Sequence, residues 1–152
     1  MSDPRVISAN QGLSFEDGPD RGRIIVDGAS TGGVYALMEW TVAANPEPTG
    51  QPSYGPHRHH GCEETFMVQA GCLQFLLDDS IITLSHGDFV RVPRGVRHGY
   101  CNVTNEPVRL LVGFQPAGLE TLFVKYRSDR DDAMPEEGFV AEATRRFASD
   151  FD

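Results

Sequence analysis

Residues 56–64, Pro-His-Arg-His-His-Gly-Cys-Glu-Glu, place three imidazoles and two carboxylates in a chain that has only five histidines. In a β-strand, residues i and i+2 point to the same face, so His57 and His59 are expected to project together and His60 away from them. After a short turn, Glu64 begins an apolar run that is typical of a returning strand. This arrangement would bring a carboxylate beside two imidazoles, which suits Fe, Ni, Mn, Cu or Zn. A site for one divalent transition metal is therefore the first hypothesis.

Length and charge restrict the class of protein and of partner. The 152 residues fit one domain of ordinary size. A net charge of −9 would repel nucleic acid and anionic membranes. The sequence shows neither a basic-then-apolar leader nor an apolar run close to the ~20 residues of a membrane span. We therefore expect a cytoplasmic protein whose partner is a small molecule, with no nucleic acid and no membrane.

The three cysteines cannot all pair and show no C-x-x-C spacing, which fits a reducing compartment. Cys62 lies next to the ligand cluster. We expect a plain free thiol there rather than a reactive one.

Short β-rich segments separated by turn residues predict an all-β sandwich or barrel over residues 21–116. Residues 45–56 contain four prolines and two glycines, which predicts a loop that leads into the histidines. Residues 1–20 hold few apolar side chains and are expected to form a flexible N-terminal arm. The predicted strands are 23–27, 34–42, 64–69, 73–77, 81–84, 89–92, 96–102 and 108–114.

After Pro116 the apolar spacing changes toward the helical period. A first helix is predicted from the apolar face formed by Leu119, Leu122, Phe123 and Tyr126. A second is predicted from Pro135 onward, with an apolar stripe of Phe139, Val140, Ala143, Phe147 and Phe151. We therefore expect two C-terminal helices within about 118–151 and a single domain over 21–152.

A second segment, residues 87–102, adds His98 to the candidate ligands. The two segments together resemble the cupin superfamily, whose motifs read His-x-His-x4-Glu-x6-Gly and Gly-x5-Pro-x-Gly-x2-His-x3-Asn. The family's opening glycine is replaced by Gln51, which loosens the loop alignment and leaves the ligands untouched. The matching residues are His57, His59, Glu64 and Gly71, then Gly87, Pro93, Gly95, His98 and Asn102.

The resemblance implies a small antiparallel jelly-roll (cupin) β-barrel that holds one metal in its interior. The implied metal ligands are His57, His59, Glu64 and His98. Residues 114–120, followed by two helices, look like quercetinase-type single cupins, in which C-terminal helices pack by the barrel mouth. Cupins commonly pair, so a homodimer is expected.

Alternation along the strands also predicts a substrate pocket. Phe66 and Val68 share the face of Glu64, and Tyr100 shares that of His98, so the pocket would be apolar with an aromatic wall. Plain core packing is the alternative for each lining candidate. The candidates for substrate binding are Met38, Trp40, Phe66, Phe75, Tyr100 and Phe114.

Other polar residues near the motifs are expected outside the ligand set. Asn102 is expected to make structural hydrogen bonds. Those expected to point away from the ligands or into solvent are His60, Glu63, His86, Arg91, Arg94 and Arg97.

The leading functional hypothesis is a metal-dependent dioxygenase of the quercetinase type, acting on a small aromatic or enolic, flavonol-like or polyketide-like substrate. Glu64 would be both a ligand and the catalytic general base. A non-oxidative polyketide cyclase, isomerase or lyase is the second hypothesis. A non-catalytic small-molecule-binding cupin is the third.

Overall fold

The computed structural model describes residues 5–45, 54–127, 143–146 and 149–151. Within these ranges the chain forms eleven β-strands and one full α-helix. The strands are β1 (Leu13–Asp17), β2 (Asp20–Val26), β3 (Ala36–Val42), β4 (Tyr54–His59), β5 (Glu63–Ala70), β6 (Cys72–Leu77), β7 (Ser80–Ser85), β8 (Phe89–Val92), β9 (His98–Cys101), β10 (Val108–Gln115) and β11 (Ser149–Phe151). The helix is α1 (Glu120–Arg127).

The strands form two sheets in which every described pairing is antiparallel. One sheet has the order β1-β2-β3-β10-β5-β8, and the other has the order β11-β4-β9-β6-β7. Because β10 lies between β3 and β5, and β9 between β4 and β6, the chain crosses repeatedly from one sheet to the other. This confirms the predicted small antiparallel jelly-roll barrel.

The core lies between the sheets and follows from alternation along the strands. Every second residue of β3 is buried, and this face carries Met38 and Trp40. In β5 the same face carries Glu64 together with Phe66 and Val68. A carboxylate on a strand face that is otherwise apolar is costly to bury unless it has partners. The position of Glu64 on this inner face therefore locates the candidate functional site.

The structure differs from the predicted N-terminal arm, because residues 13–20 belong to the barrel. Strands β1 and β2 form a hairpin, and Phe15 is 4% exposed, with its ring 5.6 Å from that of Trp40. The ring of Phe15 lies over Gly22, where an added Cβ would come within 2.1 Å of it. Phe15, whose ring packs on Gly22, is therefore the residue that anchors β1 to the core, while Leu13 on the same strand stays exposed.

The C-terminal region also differs from its prediction. Residues 143–146 are helical, but residues 149–151 form β11, which pairs with β4, and do not continue the helix. The edge of β4 offers unpaired backbone groups that a short strand can satisfy. The predicted helix residues 135–142 lie outside the described residues.

Residues 46–53 of the predicted loop also lie outside the described residues, and β4 begins at Tyr54, within that predicted loop. No helix in the described part of the chain is long and apolar enough to cross a membrane.

Candidate metal centre

Three strands bring together the residues that the two motifs predict as ligands. His57 and His59 lie on β4, and His98 on β9 is the register partner of His57. Glu64 lies on β5 in the opposite sheet. The site is therefore built across the barrel interior by three residues within positions 57–64 and by His98, which follows Glu64 by 34 positions.

The four side chains converge on one point. One ligand atom from each residue can be chosen so that all four atoms lie within 4.8 Å of one another. The imidazole centroids are 4.3 Å apart for His57 and His98, and 4.8 Å apart for His57 and His59. All four residues are buried, and His98 is completely so.

Each imidazole is oriented by a hydrogen bond at Nδ1. A backbone carbonyl oxygen can only accept, so a ring bonded to one carries a proton on Nδ1 and turns Nε2 toward the other candidate ligands. Oriented rings of this kind are typical of histidines that bind metals. The contacts are His57 Nδ1 to the Gly55 carbonyl oxygen at 2.8 Å, His98 Nδ1 to the Val96 carbonyl oxygen at 3.1 Å and His59 Nδ1 to Ser149 Oγ at 2.7 Å. The donor set therefore fits a divalent transition metal.

Glu64 supplies the negative charge of the site. Its Oε2 lies 2.8 Å from Nε2 of His98 and 3.3 Å from Nε2 of His59. Burial by itself would raise the pKa of Glu64, but the hydrogen bonds and charges of His59 and His98 outweigh it and hold that pKa well below its ordinary value. Glu64 is therefore ionised at neutral pH.

The imidazoles of His98 and His57 respond differently to the same surroundings. Burial would lower the pKa of His98, but the hydrogen bond and charge of Glu64 outweigh burial and raise it. For His57, burial and then the neighbouring His98 and His59 lower the pKa to about 4. His57 is thus neutral at pH 7, whereas the raised pKa of His98 favours a proton on Nε2, the nitrogen that a metal would use.

Metal binding should therefore release a proton. Because the hydrogen bond and charge of Glu64 raise the pKa of His98 in the metal-free protein, His98 keeps that proton to a higher pH than an ordinary imidazole. A metal must displace it. We expect affinity to fall as pH decreases below the pKa of His98, by up to about tenfold per pH unit for one proton. Titration calorimetry at pH 6 in two buffers of different ionisation enthalpy would count the protons, and a pH-independent affinity between pH 6 and 7 would contradict this expectation.

A small cavity borders the ligands. The space open to the centres of water molecules is about 20 Å³, which is room for one or two waters. Apart from the ligands, its walls are apolar or aromatic. The lining residues are Met38, Trp40, His57, His59, Glu64, Phe66, Tyr100, Val112, Leu119 and Phe123.

Of the predicted pocket residues, Met38, Trp40, Phe66 and Tyr100 border the cavity. The other two are core residues behind its wall. Phe75 is stacked on Tyr100 with ring centroids 6.3 Å apart, and Phe114 is stacked on Phe123 at 6.2 Å. Both are fully buried, as the alternative of plain core packing anticipated.

Sequence reasoning missed Val112, Leu119 and Phe123 as lining residues. The apolar spacing predicts a helix face that includes Leu119 and Phe123, but periodicity does not show which part of the barrel that face covers. The helix start is fixed by Glu120, which is 1% exposed. Its carboxylate accepts hydrogen bonds from the backbone N–H of Gly28 at 2.9 Å and of Gly118 at 2.6 Å.

The remaining polar residues lie mostly as predicted. His60 is exposed and pairs with Asp150 at 2.8 Å, and Glu63 pairs with Arg91. Asn102 donates hydrogen bonds to the Ala43 and Glu106 carbonyl oxygens. His86, Arg91 and Arg94 are exposed, whereas Arg97 is half-buried and donates a hydrogen bond to the Asp78 carbonyl oxygen.

Cys62 is 4% exposed and is a free thiol. Burial, reinforced by the negative charge of Glu64, raises the pKa of Cys62 to about 12. Because the thiolate is the reactive form, this cysteine is chemically inert at neutral pH.

Comparison with known proteins gives a family match in sequence and a shared fold in structure. Residues 47–114 match the family model described as Cupin domain. No sequence relative was found among curated proteins.

Three solved structures illustrate the shared fold. An uncharacterized conserved protein with a double-stranded beta-helix domain from Klebsiella pneumoniae aligns with a TM-score of 0.59 at 17% identity, covering 76% of this chain and 93% of that one. A sugar phosphate isomerase from a cupin superfamily from Silicibacter pomeroyi gives a TM-score of 0.60 at 17% identity, over 72% and 74% of the two chains. Streptomyces PAC13 with uridine gives a TM-score of 0.58 at 14% identity, over 76% and 85%. At these identities the likeness concerns the fold. With the family match, it supports placing the chain in the cupin superfamily.

Proposed function

We propose that the protein is a metal-dependent cupin dioxygenase acting on a small, largely apolar enol or hydroxylated aromatic compound. His57, His59, Glu64 and His98 would hold the metal. The observation that carries the proposal is the position of this buried ligand group beside a cavity whose other walls are apolar.

The cavity lining argues against a strongly polar substrate. Among the described residues, no lysine or arginine lines it, and outside the ligands only Trp40 and Tyr100 carry polar side-chain atoms. Phosphate, carboxylate or several hydroxyl groups would lose water there without gaining partners. A planar compound that offers one or two oxygens toward the ligands and an apolar remainder fits better.

When bound, the metal would act as a Lewis acid that lowers the pKa of a substrate hydroxyl and makes the enolate reactive toward dioxygen. Glu64 would accept the hydroxyl proton at its carboxylate. The hydrogen bonds that lower the pKa of Glu64 come from Nε2 of His98 and His59, which are the same atoms that would serve as ligands. A bound divalent metal would replace those hydrogen bonds and would itself favour the ionised form of Glu64. Phe66 and Tyr100 would orient a planar substrate, and the apolar walls would exclude water.

Cavity size limits the substrate further. Pockets for drug-sized ligands measure roughly 300–1,000 Å³, whereas this cavity has room for only about one or two waters. Any enolic substrate therefore requires Leu119 and Phe123 to move, and a molecule as large as a flavonol requires the largest displacement. We therefore favour the smaller members of the class of enolic substrates.

Replacing Phe123 by alanine should extend the range of substrates to larger enols. Both Phe123 and Phe114 are buried aromatic residues, but only Phe123 borders the cavity. Phe114→Ala is thus a matched control, with a similar stability loss of roughly 3–5 kcal/mol. Relative rates on enols of increasing size would be measured for both variants, and an unchanged size preference in Phe123→Ala would contradict its role as a wall.

The function is tested by oxygen consumption. The purified protein would be analysed for metal, reloaded with each of Fe, Mn, Ni, Cu and Zn, and assayed in an oxygen electrode with a panel of enolised diketones and hydroxylated aromatics. Metal-dependent oxygen uptake is expected. No uptake by fully loaded protein with any compound would refute the dioxygenase.

A non-oxidative isomerase, cyclase or lyase is the second candidate, supported by Tyr100. Its phenol borders the same cavity as Glu64, so one residue can give a proton while the other accepts one. An anaerobic product of unchanged mass would favour this candidate. Ligand-induced stabilisation without any turnover would favour a binding protein.

A further inference from the structure

We infer that Ser149, on the C-terminal strand β11, is a positioning residue of the proposed metal site. The presence of a metal is taken from the proposed function. The contact between Ser149 and His59 is seen in the structure whether or not a metal binds. Ser149 Oγ lies 2.7 Å from Nδ1 of His59. Ser149 is completely buried and His59 is 6% exposed, so water cannot readily replace this hydrogen bond.

His59 differs from the other two imidazoles in the kind of partner that orients it. His57 and His98 are held by carbonyl oxygens of residues two positions earlier in their own segments. His59 is held by a side chain 90 residues later in the sequence. The orientation of this one ring therefore depends on a distant strand being docked.

Strand β11 pairs antiparallel with the edge of β4. Ser149, Asp150 and Phe151 are register partners of His59, Arg58 and His57. Strand β4, which carries two of the four ligands, is thus paired on one side with β9, which carries a third, and on the other with β11. Because side chains alternate, Ser149 points inward to His59 while Asp150 points outward and pairs with exposed His60 at 2.8 Å.

This alternation supplies a matched control. Ser149→Ala removes the hydroxyl that holds the ligand ring. Asp150→Asn alters the adjacent residue of the same strand and weakens an exposed ion pair, which contributes little to stability. If the hydroxyl acts through His59, only the first change should affect the metal site. Ser149→Thr keeps a hydroxyl and should restore the site.

The experiment measures Co²⁺ affinity and the visible spectrum of the Co²⁺-loaded protein for the natural protein and the three variants. We expect Ser149→Ala to bind Co²⁺ roughly 10–100-fold more weakly, as is usual for partners of metal-binding histidines, with altered ligand-field bands. Asp150→Asn and Ser149→Thr should resemble the natural protein in both respects. Equal affinity and identical bands in Ser149→Ala, or an equal loss in Asp150→Asn, would overturn the inference.

A second readout does not depend on the metal. In the metal-free protein, the ¹⁵N chemical shifts of the His59 ring should change in Ser149→Ala, while those of His57 and His98 should change much less. A natural protein that binds no Co²⁺ would refute the proposed function, and the ring shifts would still decide the positioning role. Unchanged His59 shifts in Ser149→Ala would overturn the inference whatever the metal result, and they remain readable if that variant binds no metal.

Discussion

Replacing His98 by alanine should abolish tight metal binding and also destabilise the metal-free protein. The metal loses a fully buried ligand, so affinity should fall by more than the roughly 10–100-fold that partners of ligands cost. Stability should fall because the Glu64 carboxylate, which is 7% exposed, loses its 2.8 Å hydrogen bond to His98. Glu64 keeps only its longer contact of 3.3 Å with His59, so the loss should approach the roughly 3–5 kcal/mol of a buried charge that loses its partner. Metal titration and urea unfolding of the metal-free protein would measure the two effects.

His57→Ala is the matched control for this prediction. It removes another buried imidazole but leaves both contacts of Glu64 with His98 and His59 in place. It also removes a ring that burial already holds neutral. Metal affinity should therefore fall as in His98→Ala, while the free energy of unfolding of the metal-free protein should fall much less. Equal losses of stability in the two variants would show that the hydrogen bond between His98 and Glu64 does not contribute specifically to the free energy of unfolding.

Glu64→Gln should preserve the fold and remove most of the activity. The amide keeps the shape of the side chain but cannot accept the substrate proton, and loss of a general base typically costs about 10²–10⁴-fold in rate. The amide is also a poorer ligand, so the variant must be assayed at saturating metal. The turnover rate of the metal-loaded variant decides whether Glu64 is the general base.

Glu63→Gln makes the same chemical change one residue away. Glu63 lies on the opposite face of β5 and pairs with Arg91 on the surface, so this variant should retain full activity. Full activity in metal-loaded Glu64→Gln would show that Glu64 is not the base and would leave it only a role as ligand.

The ligand group could be predicted from the sequence because its pattern is local. His57 and His59 share a strand face through the two-residue period, and the motif spacing added Glu64 and His98. The structure brings these four residues together as expected. Strand alternation likewise identified Phe66 and Tyr100 as cavity neighbours of the ligands.

The parts that could not be predicted depend on contacts between distant segments. Ser149 follows residues whose apolar spacing fits a helix, and nothing local shows that its hydroxyl meets His59. Phe15 is the one buried residue of β1, and the close approach of its ring to Gly22 in the neighbouring strand cannot be read from the local sequence. Leu119 immediately precedes α1, and the position of α1 depends on the contact of Glu120 with the backbone of Gly28, 92 residues earlier in the sequence.

The hydrogen bonds of the Glu120 carboxylate should affect how fast a small molecule enters and leaves the cavity beside the metal ligands. Both of its oxygens hold backbone N–H groups, one beside β2 and one just before α1. Displacing the start of α1, which brings Leu119 and Phe123 against the cavity, would break hydrogen bonds to a charged group worth roughly 1.5–3 kcal/mol each. Opening the cavity at this end would therefore require these hydrogen bonds to break. A molecule held behind this helix would leave slowly even if it made few polar contacts of its own, so its residence time would be governed by the helix rather than by its affinity for the metal.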